Sequence, residues 1–172
     1  RREHLSTLRA VLDGGSVTFG TQTHPADGNA GVVVCSRDRA RALSRDPKIE
    51  VQLLAWGEAR VEKGFMPKAV VPAARHALAR AGISVSDCKA VKTHNPFAVN
   101  DLYFCKEMGL AHEAVNRFGS SLVYGHPQGP TGMRGLIELI EELVLAGGGR
   151  GLFTGCAAGD TAAAICLEVD CR

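Results

Sequence analysis

The sequence contains few aromatic residues and almost no excess of charge of either sign. Phe, Trp and Tyr make up 5% of its 172 residues, and 20 Lys and Arg against 18 Asp and Glu leave a formal net charge of +2. Because nucleic acids and anionic membrane surfaces attract clustered basic residues, this balance gives no reason to expect either as a partner. No apolar run approaches the roughly 20 residues that a membrane span needs, so we expect no insertion into a bilayer.

Further absences narrow the class of protein. Residues 1–4 are polar rather than the apolar core of a secretory signal, so we expect a cytoplasmic location. The six cysteines lack the short regular spacings of disulfide frameworks and zinc sites, and we expect reduced thiols and no bound metal. The glycine tract at 147–151 lacks the spacing of a P-loop or of a dinucleotide-binding fingerprint.

What is present is an alternation of short β-rich runs with helical segments. Alternating or β-branched patterns predict strands at 16–20, 30–35, 49–56, 90–93, 151–154 and 162–169. Apolar periodicity and capping residues predict helices at 5–12, 37–44, 72–81, 98–108 and 132–146. The valine-rich run at 30–35 is typical of a strand buried on both faces. Such alternation indicates a layered α/β domain.

Two glycine-rich segments each present one reactive side chain. Gly-His-Pro-Gln-Gly-Pro-Thr-Gly-Met-Arg at 125–134 carries His126, and Thr-Gly-Cys-Ala-Ala-Gly-Asp at 154–160 carries Cys156 on what we expect to be a turn. Glycine allows a ligand to approach the backbone closely. An imidazole can also activate a thiol or stabilise a thiolate. A third segment, Thr-His-Asn-Pro-Phe at 93–97, lies upstream in the same half of the chain.

By residue type alone, these residues also have ordinary structural explanations. A histidine in a Gly-His-Pro turn is by default a loop residue, and His94 at the end of a predicted strand is as readily a hydrogen-bonded polar residue. Most free cysteines are small buried hydrophobes, which is what we expect of Cys35, Cys105 and Cys166 in their apolar runs. Cys156 differs, because glycines surround it and no apolar periodicity accounts for it.

Together the three segments resemble the thiolase family. The run at 125–134 matches the family's Gly-His-Pro-x-Gly-x-Ser/Thr-Gly-x-Arg signature at every defining position. Cys156 stands where the family has its C-terminal catalytic cysteine, in Cys-x-Gly. His-Asn-Pro-Phe at 94–97 corresponds to the family's Asn-Glu-Ala-Phe segment, in the variant form with a leading histidine.

The resemblance also reaches the start of the chain. Gly-Ser-Val-Thr-Phe-Gly at 15–20, followed by Asp27-Gly28, is similar to the family's Gly-Thr-Val-Thr-Ala-Gly-Asn stretch and its downstream Asp-Gly. The resemblance implies a layered α-β-α fold with a mixed sheet covered by helices. It also implies that residues 1–45 complete the N-terminal thiolase domain, whereas residues 46–172 form the C-terminal thiolase domain.

The resemblance assigns a catalytic role to three residues. His126 would face both a nucleophilic thiol and the thioester oxygen of the substrate, and the ordinary imidazole pKa of ~6.5 suits proton transfer at neutral pH. Cys156 would remove the α-proton of an acyl-CoA in synthesis and return it in the reverse reaction. A free thiol pKa near ~8.5 suits that task if neighbours lower it modestly. His94 would complete the oxyanion hole.

Four further residues are implied to bind substrate, and two of the chain's residues depart from the family pattern. Asn95 would hold a water or shape its turn, Phe97 would line the pocket or the core, and Thr23 stands where relatives have a serine near the pantetheine arm. Ala158 replaces a glycine whose backbone N–H helps to hold the thioester oxyanion, and it keeps that donor if the turn needs no positive φ there. Asp160 adds a negative charge near the site.

The resemblance implies an acyl-CoA C-acyltransferase that catalyses reversible Claisen condensation or thiolysis of 3-oxoacyl-CoA, with the coenzyme A thioester as substrate and no further cofactor. Family members also carry a nucleophilic cysteine on a Cys-Ser/Ala-Ser-Gly turn and a loop domain that binds coenzyme A, and neither lies within residues 1–172. We therefore expect this chain to be the acid–base half, as a subunit of a split enzyme or a piece of a longer polypeptide, in a homo- or hetero-oligomer.

Two alternatives remain open at this point. A ketosynthase-type condensing enzyme pairs its cysteine with His-His or His-Asn and lacks a C-terminal catalytic cysteine, so Cys156 argues against it. A non-catalytic thiolase-like subunit would bind acyl-CoA or act as a scaffold. Ala158 and Asp160 are the features that keep this second alternative open.

Overall fold

Four strands form a mixed sheet in the order β1-β4-β3-β2. In the computed structural model, which describes residues 2–172, these strands are β1 (Ile49–Arg60), β2 (Cys88–His94), β3 (Gly149–Ala157) and β4 (Thr161–Cys171). β4 runs antiparallel to both β1 and β3, whereas β2 and β3 are parallel. The carboxyl ends of β2 and β3 therefore meet at one edge of the sheet, where His94 pairs with Gly155.

Helices cover both faces of the sheet. The helices are α1 (Arg2–Ser6), α2 (Arg37–Leu43), α3 (Val70–Ala81), α4 (Ala98–Met108), α5 (Ser121–Tyr124) and α6 (Thr131–Leu145). α3 packs on β1, β3 and β4 from one side, and α6 packs on β2, β3 and β4 from the other. The predicted α-β-α layering and mixed sheet are confirmed. No helix among residues 2–172 has the length and apolarity needed to cross a bilayer.

Side chains of β3 alternate between two hydrophobic cores. Leu152 and Cys156 point to the core shared with α3, and Phe153 points to the core shared with α6. This alternation follows from the two-residue period of a strand. It places the sulfur of Cys156 at the end of a packed strand, rather than on the turn where the sequence motif had predicted it.

Most elements predicted for residues 46–172 are confirmed, with ends that differ by a few residues. The helix at 98–108 has the predicted bounds, and the helices α3 and α4 end at Gly82 and Gly109 in the left-handed conformation (φ 67° and 68°) that favours glycine. β1 and β3 are longer than predicted, because pairing with β4 continues beyond the apolar core of each strand.

The elements predicted near the start of the chain are largely wrong. Residues 27–36 contain no strand, and the segment at 16–20 has only one isolated bridge at Thr18. Val33 is 80% exposed rather than buried on both faces, and Cys35 is also exposed. The helix expected at 5–12 ends at Ser6. A strand needs a neighbouring strand for its backbone hydrogen bonds, and within residues 2–172 none pairs with this segment.

Close packing of α3 on β1 depends on one glycine. A Cβ atom at Gly57 would lie 2.3 Å from the carbonyl oxygen of Ala73 and 2.5 Å from the backbone nitrogen of Ala77. These atoms belong to the helix backbone, so they cannot move aside as a flexible side chain could. The glycine therefore sets the distance between helix and strand.

We predict that Gly57→Ala lowers the free energy of unfolding by about 1–3 kcal/mol, because overpacking forces backbone shifts. Gly31→Ala is the matched control, since a Cβ there meets nothing within 4 Å. Urea unfolding followed by circular dichroism measures both variants. Equal stability of Gly57→Ala and the unsubstituted chain would show that α3 yields freely at this contact.

Candidate active site

The three sequence motifs converge at the edge where β2 and β3 end. His94 is the last residue of β2, Cys156 lies near the end of β3, and His126 lies in the loop between α5 and α6. All three line one cleft with a volume of about 590 Å³. The cleft is completed by Gln22, Thr23, Met66, Pro96, Phe97, Gln128, Ala157 and Ala158.

A segment from the start of the chain ties the motif loops together. Residues 21–26 run between the loop after β2 and the loop that carries His126. Backbone hydrogen bonds join Thr23 N–H to the Pro96 carbonyl (2.7 Å), Ala98 N–H to that of Thr21 (2.8 Å) and His126 N–H to that of His24 (2.8 Å). The segment thus forms one wall of the cleft and fixes the backbone beside both histidines.

The two histidines form a pair in which each ring is held through Nδ1. Their ring centroids lie 4.5 Å apart with the planes tilted by 39°. Nδ1 of His94 is hydrogen bonded to the Ser121 hydroxyl at 2.8 Å, and Nδ1 of His126 to the Thr131 hydroxyl at 2.8 Å. A hydroxyl can donate or accept, so either ring can carry its proton on Nδ1 or on Nε2. Nε2 is the atom that each ring can offer to a ligand.

The surroundings of both histidines favour neutral imidazoles. Burial lowers the pKa of His94 to about 4, with smaller contributions from His126 and from the Arg134 guanidinium. Burial, followed by Arg134, also lowers the pKa of His126. At neutral pH each ring is therefore uncharged and can act as a hydrogen-bond donor or as a proton acceptor.

A partly buried cluster of charges lies beside the histidine pair. Lys92 on β2 is 2% exposed, pairs with Glu138 on α6 and donates to the Gly119 carbonyl at 2.7 Å. Arg134, one turn before Glu138 on the same helix, lies 3.4 Å from its carboxylate. Buried charges need such partners, because an unpaired one is strongly destabilising. The cluster holds Arg134 where its charge opposes protonation of both imidazoles.

The Cys156 thiol is buried and has one side-chain hydrogen-bond donor. Nδ2 of Asn100 donates to the sulfur at 3.4 Å. Burial raises the pKa of Cys156, and the hydrogen bond from Asn100 opposes that rise only in part. The condition under which a free thiol would suit the task, a pKa modestly lowered by its neighbours, is therefore not met, since burial outweighs the hydrogen bond. Of the cysteines predicted to be structural, Cys105 and Cys166 are buried as expected.

The turn after Cys156 accommodates both departures from the family pattern. Positive φ occurs at Gly159 (86°) and Asp160 (59°) but not at Ala158, so alanine meets no strain at its position. The Asp160 carboxylate accepts a hydrogen bond from the Gly64 N–H at 3.0 Å. Its charge thus fastens the β3–β4 turn to the loop after β1.

The residues expected to bind substrate differ in how free their polar groups are. The Thr23 hydroxyl donates to the Ser121 carbonyl at 2.5 Å, so it is already engaged within the protein. Asn95 is buried, its Nδ2 donates to Asp101, and its Oδ1 has no hydrogen-bond partner within residues 2–172. Phe97 is half-buried and forms part of the cleft wall. Thr23 and Phe97 therefore contribute to the cleft wall, and Asn95 contributes a buried amide. None of these three predicted residues offers a free hydroxyl.

Several residues of the site were missed by reasoning from sequence. Met66 reaches the cleft from a short 3₁₀ turn, Met66–Ala69, and no local pattern indicates this. Gln128 adopts a positive φ of 59° within the histidine motif, a conformation that only coordinates reveal. Asn100 follows the His-Asn-Pro-Phe segment by three residues, and that proximity in sequence is the signal that could have identified it.

The residues of the cleft form no metal site. Throughout residues 2–172 no three His, Cys, Asp or Glu side chains lie close enough together to hold a metal ion. The arrangement instead offers two neutral imidazoles, a thiol and exposed backbone at the β3–β4 turn. These are the groups that can transfer protons to and from a substrate and donate hydrogen bonds to its oxygen.

We predict that His94 makes the chain sensitive to acid. Because the pKa of His94 falls from 6.5 to about 4 on folding, the unfolded chain takes up the proton first. Stability should therefore decrease as the pH falls from about 6.5 towards 4, by up to about 3 kcal/mol, with no contribution above that window. His94→Asn should remove this part of the pH dependence, as measured by urea unfolding at pH 7 and pH 4.5.

The same substitution at exposed His112 is the control and should leave the pH dependence as it was. An equal loss of stability on acidification in His94→Asn and the unsubstituted chain would contradict the prediction.

Comparisons with known proteins agree with the geometry. Residues 47–169 match the family model described as the C-terminal domain of thiolase. The chain is 34% identical over 169 residues to the cytosolic acetyl-CoA acetyltransferase of Rattus norvegicus, covering 96% of this chain and 42% of that protein. It is 39% identical over 148 residues to the 3-ketoacyl-CoA thiolase of Aeromonas salmonicida, covering 81% and 38%.

A solved structure shows the same fold. The crystal structure of the Bacillus anthracis acetyl-CoA acetyltransferase superposes with a TM-score of 0.91 at 30% identity, covering 98% of this chain and 43% of that one. The chain thus spans about two fifths of the length of the relatives that it matches. The family match and the similarity over almost the whole chain establish that this chain belongs to the thiolase family.

Proposed function

We propose that this chain is the acid–base half of an acyl-CoA C-acyltransferase of thiolase type, acting in reversible Claisen condensation or thiolysis of 3-oxoacyl-CoA. The observation that carries the proposal is the single cleft that holds the His94–His126 pair and the Cys156 thiol. Relatives named acetyl-CoA acetyltransferase and 3-ketoacyl-CoA thiolase support this reaction class.

In condensation, the acyl group to be extended is bound as a thioester on a cysteine of an N-terminal half. The Cys156 thiolate removes an α-proton from a second acyl-CoA and becomes a thiol. The resulting carbanion attacks the thioester carbonyl, so that a carbon–carbon bond forms and the bond to the partner's sulfur breaks. The partner cysteine leaves as a thiolate. The proton that Cys156 gained passes through His126 to that thiolate, so Cys156 becomes a thiolate again and the imidazole ends neutral. Thiolysis runs through the same steps in reverse.

Negative charge develops on a substrate oxygen during each step, and we assign its stabilisation to three groups. His94 donates from Nε2 when the Ser121 hydroxyl donates to its Nδ1. Its low pKa supports this neutral donor form. The backbone N–H of Ala158 is a second donor. As the third we assign a water held by Oδ1 of Asn95, a buried atom beside the cleft lining that has no hydrogen-bond partner within residues 2–172. Phe97 and Thr23 shape the wall against which the thioester lies.

The raised pKa of Cys156 affects thiolysis and condensation differently. A buried thiol that stays protonated at neutral pH is suited to donate a proton to the α-carbon, which is its task in thiolysis. Condensation requires the thiolate, and stabilisation of that anion then has to come from groups that contact the sulfur. Both directions use the sulfur of Cys156, which begins as a thiol in thiolysis and as a thiolate in condensation.

The proposed partner is an N-terminal thiolase half that carries the nucleophilic cysteine and a coenzyme A loop. An apolar groove of about 620 Å³ supports such a partner, because it leaves uncovered a surface that a folded domain normally buries. Its apolar lining residues include Val32, Val33, Val34, Val51, Leu53, Leu136 and Ile140. We infer that residues 1–45 pack with that half and that the assembly is a homo- or hetero-oligomer located in the cytoplasm.

The alternative of a non-catalytic scaffold loses its motivation. It rested on Ala158 and Asp160, but alanine adopts no positive φ, and the Asp160 carboxylate is bound by the Gly64 N–H. Nothing else in the cleft favours it.

We predict that this chain alone does not cleave 3-oxoacyl-CoA, because His126 has no nucleophilic thiol of an N-terminal half beside it. Coexpression with an N-terminal half carrying the Cys-Ser/Ala-Ser-Gly turn should give thiolysis of acetoacetyl-CoA or of a longer 3-oxoacyl-CoA. The measurement is the loss of the 3-oxoacyl-CoA absorbance in the presence of coenzyme A. Turnover by the single chain, or none by the assembly with any chain length, would refute the proposal.

We further predict that Cys156→Ser and His126→Ala impair different steps in that assembly. Serine is far less acidic than cysteine, so Cys156→Ser should reduce overall turnover by roughly 10²-fold or more yet leave acylation of the partner cysteine largely intact. His126→Ala should impair acylation as well. Mass spectrometry of the intact partner after mixing with acyl-CoA measures the acyl-enzyme. An equal loss of acylation in both variants would contradict these roles.

A further inference from the structure

Asn100 is a buried amide whose side chain is directed at the proposed catalytic sulfur. It lies in the first turn of α4 and is 1% exposed. Nδ2 donates to Sγ of Cys156 at 3.4 Å, whereas Oδ1 has no hydrogen-bond partner within residues 2–172. A half-satisfied buried amide costs stability that an apolar residue of similar size would avoid. Its presence beside the thiol therefore points to a use there.

A second observation explains how this amide is held. The Asp101 carboxylate, adjacent in sequence, accepts hydrogen bonds from Thr93, from Asn95 and, at 3.2 Å, from Asn116. Oδ1 of Asn116 in turn accepts from the backbone N–H of Thr93 at 2.9 Å. This network joins the start of α4 to the end of β2. Because it fixes the first turn of the helix relative to the sheet, it also fixes the amide of Asn100.

The chemistry of the sulfur requires a neighbour of this kind. In the proposed reaction, Sγ of Cys156 alternates between thiol and thiolate in a place that burial makes unfavourable for an anion. An amide N–H donates to a thiolate more strongly than to a thiol, because the acceptor is then charged. A carboxylate at the same position would repel the thiolate, and an aliphatic side chain would leave it without a donor.

We propose that Asn100 is a positioning residue for Cys156, whose amide N–H directs the sulfur into the cleft and stabilises its thiolate, with the Asp101 network holding that amide in place. The catalytic consequence rests on the proposed function, but the effect on the thiol does not. The other titratable groups that share the cleft are His94 and His126. The contributions to the pKa of Cys156 agree with this role. Burial raises the pKa, the hydrogen bond from Asn100 lowers it, and no charged side chain within residues 2–172 contributes.

The test is alkylation of Cys156 by iodoacetamide, resolved by peptide mass spectrometry between pH 7 and pH 10, in this chain alone. Asn100→Leu removes the donor and Asn100→Asp replaces it with a carboxylate of nearly the same shape. In both variants the rate at a given pH should fall at least ~10-fold, which corresponds to one pKa unit. Val99→Ala, an exposed neighbour on the same helix turn, is the control and should leave the rate unchanged.

One further measurement and one further variant separate a loss of the amide from a loss of the fold. Buried Cys105 and Cys166 report unfolding in the same samples, because they react faster only if the fold opens. If Asn100→Leu or Asn100→Asp does not fold, Asn100→Ser replaces it, because a serine side chain is too short to reach the sulfur. An alkylation profile like that of the unsubstituted chain in the folded variants would overturn the proposal and leave the proposed acyl transfer standing. If the assembly fails to transfer acyl groups but the alkylation rates fall as expected, the proposed function is refuted and the role of Asn100 stands.

Discussion

The structure depends on the parallel pairing of β2 with β3. Both strands end at the same edge of the sheet, and their register sets His94 opposite Gly155, one residue before Cys156. The glycine at that position leaves little room for a side chain, because a Cβ there would lie 3.1 Å from the Cβ of His94 and 3.3 Å from the Phe153 ring. A shift of one residue in this pairing would turn Cys156 to the other face of the sheet, away from the cleft. The chemistry of the site is thus a consequence of strand register.

Burial determines how the grouped side chains behave. It lowers the pKa of both histidines and raises that of Cys156, so all three groups are neutral at rest. The charge of Arg134, held by Glu138 and next to Lys92, adds to the effect on the imidazoles. A hydrogen bond to a developing oxyanion is stronger where the donor is partly withdrawn from water, as His94 is. The same neutrality means that any thiolate needs a donor of its own.

The sequence was informative wherever local pattern and fold agree. Alternating patterns and capped helices predicted the layers of residues 46–172. The family resemblance implied a shared site for His126, Cys156 and His94, and all three line one cleft. The strand predicted from the valine-rich run at 30–35 is absent, because β-propensity produces a strand only where another strand can pair with it. The raised pKa of Cys156 and its contact with Asn100 were also beyond sequence reasoning. Both arise from how deeply the end of β3 is buried and from the packing of α4, which depend on contacts distant in sequence.

The proposed function depends on transfer of the α-proton of the acyl group by Cys156. It is tested most directly by deuterium uptake into the methyl group of acetyl-CoA, followed by NMR in D₂O with the chain assembled with its N-terminal half. We expect uptake with Cys156 present and a reduction of roughly 10²-fold or more in Cys156→Ser, because only the sulfur serves as the base for that carbon. Uptake at the same rate in both proteins would contradict it.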